Sequence, residues 1–309
     1  MTYLLQRSIY YLSLSFGIIL LSFVLFHAVP TDPARIMLGP NAEEAQVDAL
    51  RSELGLDRPL SIQFATYLRN VAGLDFGTSF VDGRAVRVEV GKKLTVTLVL
   101  ILASLILTLA YVVISIGTGI LGIWKLTAFA NFLWVSLPTM FSALLIAILS
   151  AYYYPFTTFS GTFSRFSDYL YLLPPAFILA LYPMAVLSRI ARAEMVRIDQ
   201  SQFVIAARAK GLTESAVFRR HTLRNILIPF LAALSNQIPI LFTSTFIVEI
   251  IFSIPGIGSL LVRSLLQRDF PMLEGIVIVN GLVIIVAYML FEFIYPLVDP
   301  RVRDSRGAA

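Results

Sequence analysis

Cysteine is absent from this chain of 309 residues, and histidine occurs only as His27 and His221. A disulfide framework and a cysteine nucleophile are thereby excluded. A metal site needs several converging ligands, so none is expected from two distant histidines. No G-x-x-x-x-G-K-[ST] phosphate loop occurs, and ATP hydrolysis by the chain itself is not expected. Charge is scarce too: Asp, Glu, Lys and Arg make up 14% of the residues, against about 25% in ordinary soluble domains. The net charge of +5 is spread over loops. It lacks the concentrated face of a nucleic-acid binder, so no nucleic-acid partner is expected.

What fills the chain is apolar: 58% of residues are hydrophobic and the mean hydropathy is +0.82. A helix needs roughly 20 apolar residues to cross a bilayer. Six stretches qualify, at 9–29, 94–123, 129–154, 170–188, 226–248 and 275–296. The expected fold is an all-α polytopic membrane protein with six transmembrane helices. The first stretch exceeds the roughly 7–15 residues of a signal-peptide core and is followed by helix-breaking Pro30-Thr31-Asp32-Pro33, so it reads as a retained span. The 189–224 loop carries eight Lys/Arg and three acids, whereas 30–93 carries eight and nine over nearly twice the length. By the positive-inside rule the former is cytoplasmic. Both termini are then internal, including the 300–309 tail with Arg301 and Arg303.

The outer loop has a pattern of its own. Residues 42–54 repeat apolar side chains at helical spacing and stop at Gly55; Pro59 opens a second such run, which ends at Gly73. Two short helices are predicted. Either they cap the bundle by packing or they contact cargo.

Within the spans, Asn131, Asn236, Gln237, Thr243, Ser244, Thr245 and Asn280 are polar. They either hydrogen-bond between helices or line a route through the membrane. The cluster from Asn236 to Thr245, interrupted by Pro239, makes the fifth span the candidate route. No Asp, Lys or Arg lies in the central spans, which argues against an ion-coupled carrier. Glu249 ends the fifth run and precedes Pro255, Gly256 and Gly258, where a tight non-helical turn is expected. It is an interfacial acid or part of an outer gate. Beyond it, 259–267 places Leu260, Leu261, Leu265 and Leu266 on one face of a short amphipathic helix.

The most telling stretch is Ser201-Gln202-Phe203-Val204-Ile205-Ala206-Ala207-Arg208-Ala209-Lys210-Gly211-Leu212. Ser201 is a candidate cap, Gly211 suits a left-handed helix end, and Thr213 can open a second helix. Small residues permit close approach by another protein, with Phe203 as an anchor. With Asn225 and Pro229 downstream, this stretch resembles the cytoplasmic "EAA" loop of ABC-importer permeases, in its dipeptide/oligopeptide/nickel form. Ile205 stands where the general pattern has glutamate, while Ala206, Ala207 and Gly211 match. Glu53-Leu54-Gly55-Leu56-Asp57-Arg58-Pro59, Asp75-Phe76-Gly77-Thr78-Ser79 and the Glu249 to Gly258 segment resemble the same family. The family usually has glycine before Asp75, where this chain has Leu74.

That resemblance implies an ABC transporter type-1 permease fold in a bacterial or archaeal inner membrane. It divides the chain into an N-terminal helix with its outer loop (1–93), a permease core (94–299) holding the coupling loop 189–225, and the tail. Partners are implied as well: a second homologous permease, two ATP-binding subunits or domains that carry the ATP and Mg, and an extracytoplasmic solute-binding protein. The chain would itself bind no cofactor and catalyse nothing. Phe203, Ala206, Ala207, Gly211, Leu212, Asn225 and Pro229 would couple to the motor. Asn236, Gln237, Thr243, Thr245, Glu249, Pro255, Gly256 and Gly258 are the candidates for pathway and gate. Dipeptides or oligopeptides are the implied cargo, with a nickel or other metal chelate as the alternative.

Overall fold

The computed structural model describes residues 2–28, 32–39, 41–153 and 170–298. Val29, Pro30, Thr31, Tyr154 and the 300–309 tail, with Arg301 and Arg303, lie outside the described residues, as does the side chain of His27. Among the described residues the regular elements are helices, apart from one isolated bridge between Thr78 and Ala85.

In chain order these are α1 (Thr2–Ala28), α2 (Pro33–Leu38), α3 (Glu44–Glu53), α4 (Leu60–Ala72), α5 (Val86–Ile120), α6 (Lys125–Ser136), α7 (Thr139–Tyr153), α8 (Leu173–Asp199), α9 (Gln202–Ala209), α10 (Glu214–Val217), α11 (Leu223–Ser235), α12 (Gln237–Ile251), α13 (Ile257–Gln267) and α14 (Phe270–Val298). Four are long and apolar enough to cross a membrane, and six spans result if each of two bent pairs counts as one. The expected third span is such a pair: α6 and α7 meet at 100°. Leu137 and Pro138 separate them, because proline removes a backbone donor and disfavours helix in the residue before it. The fifth is bent by 40° between Ser235 and Gln237, at Asn236 rather than at Pro239. Pro239 sits in the first turn of α12, where a missing N–H leaves nothing unpaired.

The chain forms two compact units. One joins the N-terminal residues through Thr95 to Gly256–Ile285; the other joins Val96–Pro255 to the residues from Val286 onward. In the first, α1 packs on α4 and α2 on α3. Most apolar side chains of α1, including Ile9, Leu12, Leu21 and Leu25, are exposed. A helix apolar on all sides and uncovered by protein is solvated by lipid. In the second unit α8 is the central helix, packed against α6, α7, α11 and α12. Its residues Leu187, Ala191 and Ile198 share a core with Val112, Ile226, Phe230 and Leu234.

Both helices expected between residues 42 and 73 form. Gly55, at φ +70°, ends α3, and Pro59 precedes α4. The additional α2 was not anticipated. Asp32 caps it by accepting from Ala34 N at 3.1 Å, and Pro33 opens it, a pairing that sequence rules do contain.

Leu74 occupies the left-handed region, with φ +54°. It closes α4 as glycine normally would: its N–H donates to Val71 O at 3.0 Å, and Asp75 N donates to Asn70 O at 2.8 Å. The Asp75-Phe76-Gly77-Thr78-Ser79 segment is then locked in place. Ser79 Oγ donates to Asp269 Oδ2 at 2.5 Å and Phe80 N donates to Asp269 Oδ1 at 3.1 Å, with both Ser79 and Asp269 buried. Gly275 leaves room for Val86 and Phe76, since a Cβ there would lie 2.5 Å from Val86 Cγ1.

Candidate functional site: the coupling helix and the fifth span

The α8–α11 connection contains short helices stapled to one another. Ser201 precedes α9 but does not cap it with its side chain. Its hydroxyl donates backward to Ile198 O at 2.5 Å, closing the end of α8 instead. The other end is as expected. Gly211 has φ +80°; its N–H donates to Arg208 O at 2.9 Å, and Leu212 N donates to Ala207 O at 3.3 Å. These two bonds form the Schellman closure, with Leu212 packed over the core. Thr213 caps α10 by accepting from Ala216 N.

The eight residues of α9 divide by face. Val204 and Ala207, one turn apart, point into the core they share with α8 and α11. Phe203, Ile205, Ala206 and Ala209 point outward, with Phe203 47% and Ile205 56% exposed. This corrects the reading of Ala207 as a surface for a partner's approach: at 6% exposed it is a core residue. Close approach is open to Ala206 and Ala209 instead. Asn225 Nδ2 donates to His221 O at 2.6 Å, and Pro229 sits inside α11.

Two features here had no counterpart in the sequence reading. Arg208 forks onto Glu214, with Nε to Oε1 at 2.8 Å and Nη2 to Oε2 at 3.0 Å, and also pairs with Asp199. The Glu214 and Asp199 bonds hold its guanidinium pKa above the ordinary arginine value. One side chain thereby ties α9 to the end of α8 and the start of α10. A charged side chain at this spacing is ordinary on a solvated helix, so sequence alone carried no signal. Phe218–Thr222 forms a π-helical turn between α10 and α11, an irregularity often found at functional sites. It presents Arg219, Arg220 and His221, and the His221 ring stands 6.3 Å from that of Phe203.

The candidate pathway residues separate. Asn236 and Thr243 are exposed with Ile240, Ile247 and Ile250, a stripe at helical spacing along the bent fifth span. Gln237 and Thr245 face inward. Thr245 Oγ1 donates to Phe242 O at 2.7 Å, and Gln237 Oε1 is buried without a hydrogen-bond partner among the described residues. Asn131 is an interhelical residue, accepting from Tyr111 OH at 2.8 Å.

Glu249 is buried within the protein. It is 0% exposed and accepts from Thr97 Oγ1 at 2.5 Å. A carboxylate in such a place costs several kcal/mol unless hydrogen-bonded. The turn after it also differs from expectation. Ser253, at φ +55°, makes the reversal, with Ile254 N donating to Glu249 O at 2.8 Å. Pro255 follows, Gly256 caps α13, and Gly258 is already helical. Helix α13 buries Ile257, Leu260 and Ser264, while Leu265 and Leu266 are exposed. The expected leucine face therefore splits, because the buried stripe begins two residues earlier.

Residues 96–304 match the family described as Binding-protein-dependent transport system inner membrane component. Residues 1–101 match its companion, Binding-prot-dependent transport system membrane comp, N-term. The Oligopeptide transport system permease protein AppB of Bacillus subtilis is 32% identical, over 97% of this chain and 98% of its own length. The Glutathione transport system permease protein GsiC of Escherichia coli K12 is 29% identical over 98% and 99%. The Dipeptide transport system permease protein DppB of Alkalihalophilus pseudofirmus is 25% identical over 98% and 99%. With its helical architecture, its bent spans and a family match over most of its length, this chain belongs to the inner membrane components of binding-protein-dependent transport systems.

Proposed function

We propose that this chain is one of two permease subunits of an ATP-driven importer of dipeptides or oligopeptides, working with two ATP-binding subunits and an extracytoplasmic solute-binding protein. The oligopeptide- and dipeptide-transport names of two relatives aligned over nearly their whole length support the cargo class. In this reading 1–93 is the first membrane helix with its extracytoplasmic outer module, 94–299 the permease core with its coupling loop 189–225, and both termini and that loop are cytoplasmic.

One observation carries the mechanism: α9 is two-sided. Phe203, Ile205 and Ala206 offer an outward face to a motor subunit, while Val204 and Ala207 are embedded in the same core as α8 and α11. Close-packed interiors pass displacement on rather than absorb it. A pull on Phe203 therefore moves α8 and α11 with α9. Arg208 and the Gly211 closure keep the short helix from rotating under that load. The face of Asn236 and Thr243 serves as one wall of the route, with the bend at Asn236 as the part that changes angle. Glu249, buried with Thr97, holds the outer end of α12. Reversing a gate from 1:99 to 99:1 needs about 5.5 kcal/mol of differential interaction, which nucleotide-driven closure of the motor subunits would supply.

The test places a photo-crosslinking residue at Phe203, and in a second variant at Val204, of the assembled transporter. Capture of the ATP-binding subunit from position 203 but not 204 is expected. Capture from neither position, or equally from both, refutes α9 as the docking helix.

A further inference from the structure

The N-terminal unit holds a cleft of about 530 Å³ that none of the coupling or pathway roles uses. That size lies within the roughly 300–1,000 Å³ of small-ligand sites. One wall is the face of α4 bearing Leu60, Gln63, Tyr67 and Asn70, and the rings of Phe23, Phe26, Phe80 and Phe270 line it as well. Charges of both signs line it too, among them Arg58 and Glu274.

Their placement along α4 can be traced through bonds. Gln63 Nε2 donates to Leu56 O at 3.1 Å and to Arg58 O at 2.7 Å, which pins the Arg58 segment to the start of that face. The Arg58 guanidinium lies over Gly55, where a Cβ would come within 3.5 Å of Cδ and Nε. Arg51 is engaged by Asp32 and Asp48, whereas Arg58 has no ion-pair partner among the described residues. One turn beyond Gln63, the Tyr67 hydroxyl is buried beside Ser22 and Glu274. Burial, then the nearby Glu274 carboxylate, raises the phenol's pKa well above its ordinary range, so it stays neutral, and its oxygen can accept from a cation. The Tyr67 oxygen and the Glu274 carboxylate together offer acceptors in one wall of the cleft.

We propose that this cleft binds a short peptide by its two charged ends, the carboxylate at Arg58 and the α-ammonium at Glu274 and Tyr67. Four residues of α4, from Gln63 to Tyr67, rise about 6 Å, while two extended residues span about 7 Å. The aromatic rings accept the side chains without selecting among them. Acidic groups at Asp32 and Glu274 make the cleft a poor match for an anionic lipid headgroup. The inference rests on the reading that the cargo is a peptide.

The test uses the full-length chain in phosphatidylcholine nanodiscs, titrated with dialanine, N-acetyl-dialanine and dialanine amide by calorimetry. Dialanine should bind, and blocking either end should weaken it at least tenfold. Glu274→Gln and Tyr67→Phe should erase discrimination against the acetylated ligand alone, and Arg58→Gln discrimination against the amide alone. Arg58→Lys, which keeps the charge, should retain most of it. Absence of dialanine binding, unchanged discrimination in the variants, or displacement of dialanine by added phosphatidylethanolamine would overturn the assignment. Dialanine uptake by the complete transporter separates the two readings. Uptake without binding sinks the cleft alone, and binding without uptake of any peptide sinks the cargo class alone.

Discussion

Replacing Gly211 by valine tests the transmission at its narrowest point. The backbone there has φ +80°, and a Cβ would meet no atom within 4 Å. Any effect is therefore conformational rather than a clash. A residue with a β-carbon loses about 1–2 kcal/mol in the left-handed region, and β-branching makes valine a poor occupant. If φ reverts to negative values, the bonds from Gly211 N to Arg208 O and from Leu212 N to Ala207 O break. Leu212 then leaves the core, and the chain departs from α9 in a new direction. A change of 1–2 kcal/mol shifts the ratio of ordered to misdirected loop by roughly 5–30-fold. Uptake by the reconstituted complex should fall by about that factor, while membrane insertion and pairing with the second permease persist. Asparagine visits the left-handed region readily, so Gly211→Asn should retain most transport. The assay is uptake per complex, with co-purification of the ATP-binding subunit measured beside it. Normal uptake in Gly211→Val, or equal loss in Gly211→Asn, would refute the argument that the helix closure transmits the stroke.

Ala207→Asp should act differently from any change at Ala206, because it puts a charge into the α8–α9–α11 core; lower yield and melting temperature are expected, and wild-type stability would remove Ala207 from that core. Leu74→Gly should relieve left-handed strain at φ +54° and raise the stability of the outer module by about 1 kcal/mol, read as slower proteolysis between α4 and α5; faster cleavage would contradict the closure described. The natural lack of cysteine makes topology directly readable: both Ser61 and Ser215 are exposed, so S61C should react with an impermeant thiol reagent in intact spheroplasts and S215C only after the membrane is opened. The reverse labelling would invert the orientation.

Membership of the fold class was written into the order of residues, because a bilayer reads composition over some 20 residues and needs no tertiary detail. Helix ends marked by Gly55, Pro59 and Gly211 were legible for a similar reason, since backbone conformation there depends on the residue itself. Three other closures fall on Leu74, Ser253 and Arg268, residues with no intrinsic preference for that conformation. They adopt it because the flanking helices must turn, a demand set by packing. The same distinction runs through the site. Local pattern marked 201–212 as a short helix with a special end, but not that Ala207 faces inward and Ala206 outward, since a stripe of small residues looks alike on both sides until a neighbour covers one. Nor could one-dimensional order pair Ser79 with Asp269, Thr97 with Glu249, or Arg208 with both Asp199 and Glu214. Each bond joins segments that only the folded chain brings within hydrogen-bonding distance.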